Sequence, residues 1–234
     1  MSEHHWRAKQ CRRIAAAVLV LGLTAQAEVS EPFGLPIVAA ANSQLWNTWR
    51  ELQAQMRDEK PVVARCRANP ATCTSAAALQ FIEIVQEGVR YEGLSRIGRI
   101  NRAANYAIRQ LDTSKLRGIR TNWTSPLDTL AGGAGDCKQY AMVKYAALRE
   151  AGFAPDDVRL VILGIRSIAQ THAVAVVREG GRWVILDNRN LELVDSRDLR
   201  DYAPMFALDH RGVWEFVRPP GPAVAAKPCD KFVG

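Results

Sequence analysis

Cys137, His172 and Asp187 are the residues of this chain whose types and spacing could do covalent chemistry. A thiolate attacks an amide or ester carbonyl, an imidazole takes or holds the thiol proton, and a carboxylate fixes the imidazole tautomer and steadies its cation. Cys137 follows the run Gly132-Gly133-Ala134-Gly135, with Asp136 between. Asp136 is a good N-cap, and Gln139, three residues on, completes a capping-box pattern. Ala141, Tyr145, Leu148 and Ala151 then recur at helical spacing, Met142 widens the stripe, and Gly152 supplies a stop. The pattern predicts a helix that opens at Cys137. Unpaired backbone N–H groups and the positive end of the dipole favour thiolate there, and the Cys137 N–H is a candidate oxyanion donor. Without a partner, a cysteine in such a place is a small, buried and inert residue.

The partner comes from a hairpin. Glu179-Gly180-Gly181-Arg182 reads as a two-residue turn that pairs Glu179 with Arg182, and hence Val174 with Asp187. His172 lies two residues before Val174, so it projects from the same sheet face as Asp187. The two become diagonal cross-strand neighbours, within reach of each other. A slip of one residue would separate them.

The elements that must hold these three residues fall in two blocks. Helices come first. Asn42 or Ser43 caps one carrying Leu45, Trp46, Trp49, Leu52 and Met56, which should end before Pro61. A second runs from about Ser75 to Gln86 and a third from about Leu94 to Gln110, with Arg96, Arg99, Arg102 and Arg109 on its wet face. Residues 112–124 read as loop, and Ser125-Pro126-Leu127-Asp128 is a helix start. From residue 157 the period changes to two: 158–165, 171–178, 182–188, 191–195 and 213–217 read as strands. Helices followed by an antiparallel sheet is an α+β layout.

The ends differ from this body. Arg7, Lys9, Arg12 and Arg13 precede an apolar run from Ile14 to about Thr24, then Ala25-Gln26-Ala27. Residues 1–27 thus read as a secretory signal cleaved near Ala27, too short for a membrane span, and imply a periplasmic or secreted protein. Residues 28–41 read as a lead-in, 42–218 as the folded domain, and 219–234, rich in proline, as a disordered tail. Removal of the signal lowers the net charge from +7 to +4, since it takes four basic residues and one acidic residue. A mild positive charge spread along the chain argues against a nucleic-acid footprint, which should cluster on one face or helix. Of the four cysteines left, Cys66 and Cys73 bracket a proline-containing loop and form the natural disulfide in an oxidising compartment. A bridge from Cys137 to Cys229 is disfavoured by the character of the tail. No HExxH, CxxC pair, GxSxG or phosphate-loop motif is present.

Taken together, these blocks resemble the bacterial transglutaminase-like cysteine peptidases, the family of the LapG-type periplasmic proteases. The similarity runs from about Trp46 to Val217. It is carried by Trp123-Thr124-Ser125-Pro126-Leu127-Asp128-Thr129-Leu130, Gly133-Ala134-Gly135-Asp136-Cys137, Lys144-Tyr145, Leu148-Arg149-Glu150-Ala151-Gly152, Asp156-Asp157-Val158-Arg159-Leu160, Thr171-His172-Ala173-Val174 and Val184-Ile185-Leu186-Asp187-Asn188. The resemblance implies a papain/transglutaminase-like fold, with Cys137 as nucleophile, His172 as base and Asp187 as orienting acid. It also implies a protein substrate, with a surface adhesin as the candidate, and an inner-membrane receptor as regulator.

One departure stands out. LapG-type enzymes carry acids directly after the nucleophile, and with the preceding Asp these bind calcium. Here Asp136 is the only retained position of that type, because Lys138 and Gln139 follow Cys137. An ammonium in place of a carboxylate removes a ligand oxygen and repels a dication. A calcium site is therefore expected to be absent or weakened, leaving no cofactor.

The expectation is an exported cysteine endopeptidase working through an acyl-enzyme. The same chemistry serves a transglutaminase or an amidase on cell-wall peptide, and the same fold serves a non-catalytic binding module. Trp123, in the loop before Ser125, and Asn188, beside Asp187, are the candidates for substrate or oxyanion contacts.

Overall fold

The computed structural model describes residues 30–41, 43–111 and 122–217. The expected signal, Asn42 as a cap, most of the 112–124 loop, the tail and Cys229 lie outside the described residues. Among the described residues, five helices pack on one face of a seven-stranded sheet: α1 Gln44–Ala68, α2 Ala76–Val89, α3 Gly93–Ala107, α4 Pro126–Gly132 and α5 Cys137–Glu150. The strands are β1 Ile37–Ala39, β2 Arg109–Gln110, β3 Ala134–Gly135, β4 Val158–Ile165, β5 Gln170–Glu179, β6 Arg182–Leu186, β7 Val194–Asp195, β8 Tyr202–Leu208 and β9 Val213–Phe216. The large sheet runs β1-β9-β8-β4-β5-β6-β7 with antiparallel pairing throughout, while β2 and β3 form a separate short parallel pair. The chain is an α+β protein.

Alternation along the strands gives each sheet face its own apolar set. Leu160, Ile162, Ala173, Ala175 and Leu186 join the helices in the main core. Val161, Leu163, Val174, Val176 and Ile185 form a second cluster behind, against Phe33, Leu35 and Ile37 of the lead-in. The lead-in is part of this body. Its Glu31 pairs with the buried Arg159 at 3.2 Å, Ser30 accepts a hydrogen bond from the Trp183 indole, and β1 extends the sheet beside β9.

Three elements depart from the periodic reading. Helix α1, capped by Ser43, does not stop at Pro61 but continues to Ala68. Pro61 lies on the exposed side, where its ring meets solvent, while Val63 and Cys66 on the other side are buried and draw the helix onward. Cys66 then bonds to Cys73 across a short turn. Strand β8, unforeseen, lies mid-sheet between β4 and β9 despite Pro204. The β4–β8 register shifts between Ile162 and Leu163, opposite Pro204, and an irregularity is where a strand tolerates the missing N–H. Helix α3 ends at Ala107, so Arg109 and Gln110 leave it to pair with Ala134 and Gly135.

Candidate active site

The site is built on the first turn of α5. Asp136 caps it: one carboxylate oxygen accepts the Lys138 N–H at 2.9 Å, and the Asp136 N–H donates to Gln139 Oε1 at 3.0 Å, completing the capping box. Gln139 also donates to the Asn122 carbonyl at 2.6 Å, tying α5 to the segment before α4. Gly133, with φ of 63°, closes α4 in the left-handed conformation, and β3 then leads directly into Asp136. Gly135 is packed hard against α5, since a Cβ there would stand 2.5 Å from Gln139 Cβ. Cys137 is thus set at a helix N-terminus by backbone pairing on one side and caps on the other. It is buried and takes part in no disulfide.

His172 and Asp187 come from the hairpin in the expected register. Glu179 pairs with Arg182 and Ala175 with Leu186, so Asp187 follows directly after β6. His172 Nε2 donates to Asp187 Oδ1 at 2.8 Å, and both side chains are almost wholly buried. Asp187 accepts two further bonds, from the Arg189 N–H at 2.9 Å and the Tyr202 hydroxyl at 2.6 Å. Burial alone would push the Asp187 carboxyl up. The His172 hydrogen bond and charge, with the Tyr202 and Arg189 bonds, outweigh it and hold the carboxyl well below the usual range. Burial and the neighbouring carboxylate raise the Tyr202 phenol.

A cleft of about 380 Å³ joins the two halves, lined by Cys137, Asp136 and Tyr140 from α5 and its cap, His172 and Gln170 from β5, and Gln110, Asn188 and Arg189. The three sequence-derived residues therefore meet at one cleft or directly beneath it. Asn188 lines this cleft and donates to Gln110 Oε1 at 2.8 Å. Trp123 is not among the lining residues and packs, half-buried, against the helical core. Gln110, Gln170 and Tyr202 were missed by sequence reasoning. Gln110 belonged to an expected helix end, and Tyr202 to a strand that Pro204 disguised. A larger cavity, about 480 Å³ between α1, α2, α4 and α5, holds none of Cys137, His172 and Asp187.

Directly after Cys137, Lys138 Nζ lies 2.7 Å from Asp136 Oδ2, and both side chains are buried. Among the described residues no cluster of three or more His, Cys, Asp or Glu side chains is arranged to hold a metal ion.

Residues 58–217 match the model of a protein family described as bacterial transglutaminase-like cysteine proteinases. The chain belongs to that family. It is accordingly a cysteine peptidase with a transglutaminase-like fold. Among solved structures it is similar to calcium-bound LapG of Legionella pneumophila, at 16% identity and a TM-score of 0.53 over 76% of this chain and 93% of that one. A second structure of Legionella pneumophila LapG aligns at 17% identity and a TM-score of 0.50, over 74% of this chain and 88% of that one. At such identity the likeness shows the shared fold. No curated protein matches the chain.

Proposed function

We propose that this cysteine peptidase is an exported endopeptidase that cleaves a protein through Cys137, His172 and Asp187. The observation that carries the reading is the common cleft into which the helix-start thiol and the carboxylate-bound imidazole both open. With Nε2 engaged by Asp187, His172 has Nδ1 for the thiol. The Cys137 thiolate attacks the scissile carbonyl, and the tetrahedral oxygen draws on the Cys137 N–H at the helix start. Collapse expels the amine, which takes the imidazolium proton, and leaves a thioester. Water, deprotonated by His172, then releases the acid and regenerates the thiol.

Residues 1–27 are proposed to direct export to the periplasm or beyond, where the Cys66–Cys73 disulfide is at home. The substrate is proposed to be a surface adhesin, with an inner-membrane receptor as regulator. Calcium is proposed to be dispensable, because the Lys138 ammonium stands against the carboxylate that would have to serve the metal.

The test is product analysis with the mature chain, a protein substrate and H₂¹⁸O, with Cys137→Ala as control. Hydrolysis inserts one labelled oxygen at each new C-terminus, only in the wild type, and chelator leaves the rate unchanged. Incorporation of a labelled amine without chain scission would instead identify a transglutaminase. Scission that stops with chelator would refute the calcium proposal.

A further inference from the structure

Helix α3 has a side that neither packs nor balances its charge. Ile97, Ile100 and Ala104 enter the main core. Next round the helix, the Asn105 amide donates to the Asp187 carbonyl at 3.1 Å, and Asn101 Nδ2 stands 3.5 Å from the Asn190 carbonyl. These two hold the segment after β6. The row beyond them is Arg99, Arg102 and Tyr106, at i, i+3 and i+7, and Arg109 follows as the chain enters β2. All four are exposed, and Tyr106 keeps 73 % of its surface open to solvent. Residues 93–111 hold four arginines and no Asp or Glu, whereas a solvated helix face normally mixes signs. Arg67, Arg178, Arg197 and Arg211 each pair with a carboxylate, but Arg99, Arg102 and Arg109 pair with none among the described residues.

The row runs into the cleft. Gln110, directly after Arg109, lines it and accepts a hydrogen bond from the Asn188 amide at 2.8 Å. Arg189 lines it from the segment after β6, exposed and likewise without a paired carboxylate among the described residues. Asp201, within electrostatic reach of Arg189, is held by the Ser167 N–H at 2.8 Å. The acids of the cleft are already occupied: Asp136 by the Lys138 ammonium at 2.7 Å, and Asp187 by His172 at 2.8 Å. Glu192 is the one acid of residues 188–193. The approach to Cys137 from α3 therefore carries a surplus of positive charge.

We propose that this row is an exosite for an acidic stretch of the substrate chain, with Arg102, Arg109 and Arg189 taking its carboxylates and Tyr106 supplying apolar contact. The inference rests on the catalytic reading above and gives it a substrate class, a protein segment rich in Asp and Glu beside the cut. At 1.5 Å per residue, Arg99 and Tyr106 stand about 10 Å apart along the helix, the reach of about three extended residues. The acids it reads thus lie several residues from the scissile bond. A peptide, rather than another polyanion, fits a row that ends at a peptidase cleft.

The experiment compares two peptides in the wild type and in Arg102→Gln/Arg109→Gln. Both carry one cut sequence, taken from a proteome-derived peptide library digested by the wild type, with a flank of glutamates in one and of glutamines in the other. At low salt the wild type should show a kcat/KM about tenfold higher for the glutamate peptide, through KM, and the double variant about twofold. High salt should erase the preference in the wild type without any substitution. Equal values for the two peptides in the wild type, a preference untouched by the variant, or a fall shared equally by both peptides overturns the proposal. If no library peptide is cut, fluorescence anisotropy of labelled polyglutamate decides. It must bind the wild type more tightly than the double variant does, and more tightly than an oligodeoxynucleotide of equal charge; either failure overturns the proposal. A wild-type Cys137 thiol that is ordinary and independent of His172 overturns the catalytic reading and the substrate role with it, whereas a reactive thiol without acidic preference overturns this inference alone.

Discussion

Replacing Lys144 by methionine should stabilise the protein, and by an amount that depends on pH. Burial takes the amine from its ordinary 10.5 to about 7. Between those values the unfolded chain binds more protons at this site than the folded one, so stability rises with pH across the window. Below pH 7 the folded protein carries the whole cost of an enclosed ammonium, on the order of 5 kcal/mol at 1.4 kcal/mol per pH unit. Methionine carries none of it, and its chain occupies nearly the same space. The stability of the variant minus that of the wild type should therefore be largest near pH 6. It should shrink by roughly 1.4 kcal/mol per pH unit above pH 7 and level off near 10.5. Urea unfolding of both proteins at pH 6, 8 and 10 reads this difference directly. Parallel curves, or a methionine variant less stable at every pH, would refute the claim that an enclosed, strained charge is held there. A lysine enclosed at such a cost does not serve packing.

Other expectations follow from single contacts. Tyr202→Phe removes one of the bonds to the Asp187 carboxylate and should cost about 1 kcal/mol at neutral pH. Because the depressed carboxyl contributes stability above its unfolded pKa and loses it as pH falls, the acid-unfolding midpoint of this variant should move to higher pH, as circular dichroism would show. Gly135→Ala would press its methyl on Gln139 Cβ and disturb the cap that sets Cys137; thermal unfolding should report a loss of about 1–3 kcal/mol, and Cys137 alkylation should slow with it. A chain starting at residue 43 would lose β1 and the Glu31 partner of buried Arg159, and calorimetry should find it less stable by about 3 kcal/mol or more.

Much of the site was legible because its determinants are local. The capping box at Asp136 and Gln139 fixes where α5 begins, and the Gly180-Gly181 turn fixes the β5–β6 register that brings His172 to Asp187. What escaped depends on distant partners. Pro204 argues against a strand until the β4–β8 register shift is seen, and Pro61 argues for a helix end until the burial of Val63 and Cys66 is known. Gln110 enters the cleft through a two-residue ladder with the glycine run, a pairing that no local period encodes. Lys144 was visible only as part of a family block. Its complete burial, which no local period encodes for a lysine, became evident only in the fold.

The central claim is that Cys137 is a nucleophile made ready by His172. Its most direct measurement is the rate of Cys137 alkylation against pH in the wild type and in His172→Ala. The account predicts a wild-type thiol that reacts well below about pH 7, as an ion-paired thiolate does, and a variant that reacts only as pH approaches the ordinary thiol value of about 8.5. Coincident profiles at that ordinary value in both proteins would contradict it.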